Sequence, residues 1–285
     1  MYSSATALVR GSDKIGSPPE VFVRLNEALN RGSYSVDELA GIVAADAGLT
    51  VRLLCVANSS FFGFSRKIVN LSEAIGAIGV NHLRELVTAS SVISKFGAVP
   101  GNLVSMDAFW RHSVAVGLAA RILAGARKEL NLENYFIAGV LHDVGRLVML
   151  LKMAEPYRQV IERCRASGEL LYVVERERFG FDHAAVGEAL LLQWNLSPML
   201  AEAVGAHHAP KNAERHAMCA AMVHLGDVLA HALELGGSGE RFVPRISPVA
   251  WARFGLHPSV LGTVMEQLDQ QYQQMVSLIE TGTGK

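Results

Sequence analysis

Between positions 112 and 227 the chain spaces out seven side chains of the kind that ligate first-row divalent cations: His112, His142, Asp143, His183, His207, His208 and Asp227. Neutral imidazoles and carboxylates are the donor set for such ions, and donors this far apart in sequence meet only if the fold gathers them. The sharpest element is the adjacent pair His142-Asp143, which interrupts the apolar run Ala138-Gly139-Val140-Leu141 and Val144-Gly145. A carboxylate buried there needs a cation or strong donors beside it. One histidine in an apolar helix is more often a satisfied core residue than a ligand. A doublet, a His-Asp pair and a late aspartate on one chain are harder to reach by composition, even with 10 histidines.

These residues also carry a family resemblance. His112, His142-Asp143 and Asp227 resemble the ligand series of the HD superfamily of metal-dependent phosphohydrolases. The chain from about residue 15 to 235 resembles the HDOD domain, an HD-related output domain of bacterial signalling proteins. The matching stretches are 15–20, 46–50, 57–63, 74–79, Phe109-Trp110-Arg111-His112-Ser113, Leu141-His142-Asp143-Val144-Gly145, 179–183, Trp194 and His207-His208. HDOD domains often lack part of the HD ligand set and are usually regarded as regulatory. Here His183 and His207-His208 resemble the extra ligands by which HD-GYP cyclic-dinucleotide phosphodiesterases hold a second metal. The resemblance implies one ion on His112, His142, Asp143 and Asp227, and another on His183, His207 and His208, with Asp143 bridging. Three departures weaken the catalytic analogy. Ala108 stands where some HD-GYP enzymes have an acidic ligand, Arg146 replaces the lysine expected after His-Asp-x-Gly, and Ala209-Pro210-Lys211-Asn212 contains no Gly-Tyr-Pro. They imply neither a third metal nor that substrate loop.

The positioning elements read as helices. Pro18-Pro19 opens an apolar periodic run that Gly32 stops. Ser35 with Glu38 forms a capping box for a helix ending near Gly48. Leu49 to Asn58 gives a third helix, Ser72 caps a fourth stopping near Gly79, and 81–96 gives a fifth. No alternating stretch is long enough for a central strand, so the expected class is all-α. The expected organisation is a two-lobed helical bundle: a tail over 1–14, an N-terminal helical lobe over 15–104, and an HD-type metal-binding lobe with a C-terminal helical extension over 105–285. In the second lobe His112 lies early in a helix over 107–125, and His142 and Asp143 share one over 133–151. Asp182 should cap the helix that His183 begins, and His207-His208 should end a helix opened by Ser197-Pro198. Arg146, three residues after Asp143, is read as its structural partner ahead of a phosphate contact. His224 and His231 face the same side as Asp227 and are candidates to support it as a ligand, with exposure or core packing the expectation ahead of that role.

Other features are read as structural. The Ser35–Asn58 region imitates a helix-turn-helix, but its second helix offers only Arg52 among apolar residues and belongs to the core. Phe61, Phe62 and Phe64 form an aromatic knot, and Gly236-Gly237-Ser238-Gly239 reads as a flexible loop. A terminal helix over 257–280 carries the apolar stripe Val264, Leu268, Tyr272, Met275 and Leu278, suited to packing on its own domain ahead of a homodimer.

A chain of 285 residues with 50% hydrophobic content builds a sizeable core. Its net charge of −1 shows no nucleic-acid footprint, so DNA is not an expected partner. Cys55, Cys164 and Cys219 follow no pairing motif, which suits a reducing cytosol. Residues 1–17 contain no apolar signal core, and the stretch 136–153 is broken by charged residues, so a soluble, cytoplasmic protein without membrane attachment is expected. Two functions remain open. One is a signalling module with a retained divalent-metal site of one or two ions, drawn from iron, manganese, zinc or nickel, responding to a protein or nucleotide. The other is a metal-dependent phosphohydrolase, in which Asp143 and Arg146 would take the catalytic roles.

Overall fold

A computed structural model describes residues 2–10, 20–46, 49–50, 53–54, 57–58, 68–80, 83–84, 87, 96 and 103–282, with 277–282 as backbone only. The readings at Pro18-Pro19, Gly48, Arg52, the Phe61-to-Phe64 knot, Cys55, most of 81–96 and the Leu278 side chain lie outside the described residues. Among the described residues every regular element is helical, so the chain is all-α. Contacts divide it into two compact units, residues 1–17 with 96–268 and residues 18–95 with 269–285.

Within the second unit, α2 (Glu20–Asn30), α3 (Val36–Ala44) and α4 (Leu71–Ile78) pack in sequence order. They bury Leu25, Ala28, Leu39, Val43, Ala74 and Ile75, the positions that helical periodicity places on one face of each. Ser35 caps α3 by accepting the Glu38 amide at 3.0 Å. The α4 cap differs from the expectation. Asn70, not Ser72, accepts the Glu73 amide at 2.7 Å, and Ser72 donates to Asp37 instead. Asn and Ser are comparable caps, so the helix starts at whichever lies at its end. Asn58 pins the backbone of Ile68 in both directions at 2.8 Å.

The first unit holds the ligand series. Its axis is α5 (Met106–Ala126), capped by Ser105 and covered by α6 (Leu132–Leu141) on one side and α12 (Ala217–Ala232) on another. Small residues along α5, among them Ala115, Ala119 and Ala120, are fully buried and let both neighbours approach closely. Next come α7 (Val144–Lys152), α8 (Ala154–Ser167), α9 (Leu171–Phe179), α10 (His183–Gln193) and α11 (Pro198–Ala206), with α7 and α11 both packed on α10. After α12 come α13 (Pro248–Phe254) and the start of α14 (Val260–Gly282), whose residues from 269 onward belong to the second unit. On α14 the stripe residues Val264, Leu268, Tyr272 and Met275 are buried. The stretch read as a tail contains α1 (Ala5–Arg10), which packs on α10. Lys152 donates to the Leu8 and Val9 carbonyls, a cation placed at the negative end of that short helix.

Residues 132–152 are long and apolar enough to cross a bilayer, yet 89% of their best window is buried inside the protein. That is the behaviour of a core segment. It is also two helices, and the break between them forms the site.

Candidate metal centre

His142 and Asp143 do not lie within one continuous helix, as the sequence suggests. His142 ends α6 and Asp143, at φ −97° and ψ 8°, precedes α7. The cause is local. In an uninterrupted helix the Gly139 carbonyl would receive the Asp143 amide, but the His142 ring takes it, donating from Nδ1 at 2.7 Å. The chain restarts with the Arg146 amide on the Asp143 carbonyl at 2.9 Å. Both side chains thereby project from a corner into the interior.

Four other elements deliver the remaining donors. His112 comes from α5 and Asp227 from α12, whose packing sets His112 Nε2 3.2 Å from Asp227 Oδ1. Asp182 caps α10 through the Ala185 amide at 2.9 Å and so aims His183, while His207 closes α11 with His208 beside it. Gly145 makes the α7 to α10 approach possible. A Cβ there would lie 2.0 Å from the His183 carbonyl oxygen and 2.4 Å from the Gly187 amide nitrogen, so no larger residue fits. The result puts His183 Nε2 3.0 Å from Asp143 Oδ1, and His142 Nε2 3.4 Å from Asp143 Oδ2 and 3.7 Å from Asp227 Oδ1.

Three rings share one orientation. His142 gives its Nδ1 proton to Gly139, His207 gives its own to the Val204 carbonyl at 2.6 Å, and His183 gives its own to Glu175 at 2.7 Å. Each therefore turns Nε2 inward, the arrangement by which outer hydrogen bonds present imidazoles to a metal. Among the described residues, donor atoms within 4.8 Å of one another form three sets: His183, His207 and His208; His112, His142 and Asp143; and His112, Asp227 and His231.

The chemistry of these donors fits a divalent cation. His207 Nε2 and His112 Nδ1 are buried without a hydrogen-bond partner, each a cost of roughly 1–3 kcal/mol unless something else engages it. His183 Nε2 and His208 Nε2 face each other at 2.8 Å. Three fully buried carboxylates, Asp143, Asp227 and Glu175, meet a single buried guanidinium, that of Arg146. Ligation takes neutral histidines, and if all of them were neutral two negative charges would remain for a cation to balance.

Electrostatics sort the ligands. Burial opposes ionisation of Asp143, but Arg146, His142 and His183 hold its carboxyl well below the usual range. Asp227 is likewise depressed against burial, by hydrogen bonds from His112 and His231. Burial, aided by His142 and His183, lowers His207 to about 3, and His208 falls well below its ordinary value for the same reasons. Both are thus neutral and able to ligate. His183 moves the other way: burial and Arg146 oppose its charge, yet Glu175 and Asp143 raise it to about 9.

Several supporting residues escaped the sequence. Glu175 on α9 accepts from the His183 ring, its backbone amide at 2.8 Å, and the Tyr157 hydroxyl, all at 0% exposure. Its charged neighbours Arg176, Glu177 and Arg178 are exposed, and nothing in sequence spacing distinguishes Glu175 from them. The loop read as flexible is part of the site. Gly236, at φ 76°, lies so close to α5 that a Cβ would meet the His112 amide nitrogen at 2.4 Å, and the Gly237 amide bonds to the Ala108 carbonyl at 2.8 Å. Ser238 is fully buried against Arg146. Of the two histidines flanking Asp227, His224 is a structural residue, donating to the His207 carbonyl at 2.8 Å and accepting the Ser247 amide at 2.9 Å. His231 is not: its Nε2 lies 3.3 Å from Asp227 Oδ1.

The HDOD domain model matches residues 15–210, more than two thirds of the chain. The chain belongs to the HDOD family. The match takes in His112, His142, Asp143, His183, His207 and His208, while Asp227 and Ser238 follow it. An HDOD domain protein of unknown function from Geobacter sulfurreducens superposes with a TM-score of 0.70 at 25% identity, covering 97% of this chain and 93% of that one. A protein from Shewanella amazonensis SB2B, provisionally named a phosphohydrolase, superposes at 0.72 with 25% identity, covering 96% and 98%. By sequence, a protein from Treponema pallidum (strain Nichols), named only as uncharacterised, is 24% identical over 208 residues. Those residues are 72% of this HDOD chain, which spans 39% of that relative's length.

Proposed function

We propose that this HDOD protein is a soluble, cytoplasmic signal-transduction module whose divalent-metal centre is structural or regulatory, acting through a protein or nucleotide partner. The observation that carries this reading is closure. His112, His142, Asp143, His183, His207 and Asp227 are each at most 2% exposed, and only His208 reaches partial exposure. Metal sites closed on all sides are structural as a rule, whereas catalytic ones keep an open position. Arg146 supports it further: 2% exposed and bonded to Asp143, Ser238 and His183, it has no face turned toward a phosphate.

In this reading His112, His142, Asp143 and Asp227 would hold one divalent ion and His183, His207 and His208 another, to which Asp143 would also contribute. Glu175 orients His183, and the Gly139 and Val204 carbonyls orient His142 and His207. Metal should raise the melting temperature, because a ligand that binds only the folded state stabilises it. Elemental analysis of gently purified protein, followed by titration with iron, manganese, zinc and nickel, tests the reading. Uptake of none of them ends it.

The alternative is a metal-dependent phosphohydrolase. It is favoured by the complete donor set, by the name of the Shewanella neighbour, and by the partial exposure of His208 at the rim, where Tyr172 stacks on it at 4.3 Å. Bound ions would then lower the pKa of a water toward neutrality. The protein's own groups would be Asp143, which would position that water, and Arg146, which would have to leave Ser238 to reach a phosphoryl oxygen. Cyclic-dinucleotide hydrolysis should be undetectable in the first reading. Metal-dependent turnover abolished by Asp143→Ala establishes the second.

A further inference from the structure

We propose that His231 forms, with His112 and Asp227, the seat through which a divalent ion enters and leaves the buried centre. The inference rests on the metal reading above and adds a residue to which neither the ligand series nor the family resemblance gave a role. A centre whose donors are almost wholly buried needs a route for its ion. The His112 side of this one has a single donor with an edge toward solvent. His231 is 10% exposed in its side chain, against 1% for His112, 1% for His142 and 3% for Asp227.

Geometry makes it a donor as well as a neighbour. Asp227 Oδ1 is approached by three Nε2 atoms, those of His112 at 3.2 Å, His231 at 3.3 Å and His142 at 3.7 Å. Lone pairs converging on a carboxylate oxygen repel it unless a proton or a cation lies between. The His231 and His112 rings are 4.4 Å apart, and their nitrogens fall within the span of one ion together with the Asp227 carboxylate. His112 belongs equally to the inner set with His142 and Asp143. An imidazole nitrogen has one lone pair to give, so His112 serves the outer and inner seats in turn. Asp227 Oδ1, with His112, His231 and His142 all around it, would contact an ion held at either seat. His231 sits one helical turn after Asp227 on α12, which fixes its position toward that carboxylate.

Stopped-flow uptake of cobalt(II) by metal-free protein, read from its visible absorption, and extraction of bound cobalt by a chelator test this. His231→Phe keeps the ring volume beside His112 and removes the donor. We expect uptake and release both to slow by roughly tenfold, the lower end of what losing metal-site support costs, with final occupancy unchanged. His231→Ala should behave alike and recover its rate when imidazole is added, which a purely packing role would not produce. Unchanged rates in both variants overturn the entry role. Loss of an ion at equilibrium also overturns it, by making His231 a resident ligand. If wild-type protein takes up no metal, it is the metal reading of the preceding section that fails.

Discussion

Arg146 and Ser238 are 92 positions apart, yet one guanidinium nitrogen of Arg146 donates to both the Ser238 hydroxyl at 2.6 Å and its carbonyl at 2.9 Å. The same nitrogen lies 3.2 Å from Asp143, and its twin lies 3.0 Å from His183. The fork geometry of arginine is what permits this, and a lysine would reach only part of it. Burial opposes the charge, but Asp143, Tyr157, Glu175 and Glu240 together outweigh it and raise the Arg146 pKa. Removing one partner of a buried pair strands the other, so Arg146→Met should cost about 3–5 kcal/mol. Ser238→Ala should cost about 1 kcal/mol, and Arg146→Lys should fall between them. Urea titrations give all three. An Arg146→Lys protein as stable as wild type would show that the guanidinium fork is not used.

Glu175 is predicted to act on metal through His183. Replacing it with Gln keeps the shape and removes the negative charge facing the imidazole Nδ1. Affinity for the ion on His183, His207 and His208 should fall about 10- to 100-fold, as for other supports of histidine ligands. The ion on the His112 side should be unaffected. Competition titration with a chromophoric chelator resolves the two, and equal weakening of both would contradict the assignment.

Gly145→Ala tests whether the approach of α7 and α10 assembles the site. The added methyl would collide with backbone, not with a side chain that can swing aside. Stability should drop by about 1–3 kcal/mol or more, and metal held jointly by Asp143 and His183 should be lost. Retention of full metal content would mean that the helices can part without opening the centre.

Away from the centre, Glu188 offers a pH dependence. Its half-buried carboxylate lies over Gly205, and burial together with Glu202 and Asp182 raises its pKa. A carboxylate with a raised folded-state pKa binds protons more readily folded than unfolded. It therefore penalises stability at neutral pH, and the penalty fades as pH falls through the raised value toward the unfolded one. Glu188→Gln should melt higher than wild type at pH 7, with the advantage gone by about pH 4. A gain that persists there would have another cause.

Removing donors in groups tests the two-ion arrangement. Asp227→Ala should empty the His112 side alone, and a double replacement of His207 and His208 by Ala should empty the other. Asp143→Ala should weaken both. Metal-to-protein ratios of the three variants decide it, and a wild-type ratio that never exceeds one excludes two ions.

Much of this was legible in the sequence because caps and ligands are local signals. Ser35, Asp182 and Ser197 each accept the amide three residues on. Asn70 outcompeted Ser72 because a cap is chosen by where packing starts the helix. The single helix read over 133–151 was wrong for a related reason. Periodicity sees apolar side chains, and it has no access to an imidazole that captures the Gly139 carbonyl.

The chain by itself determined the all-α class, the family and the seven candidate donor positions, since composition, periodicity and motif identity are properties of residues near one another in sequence. Tertiary structure alone decided which donors face each other, that Glu175 supports His183, that His231 meets Asp227, and that a glycine-rich loop clamps Arg146. Those relations join α5, α7, α9, α10 and α12 and the loop after it, and they depend on how closely helices approach. No pattern along one segment encodes the distance between two.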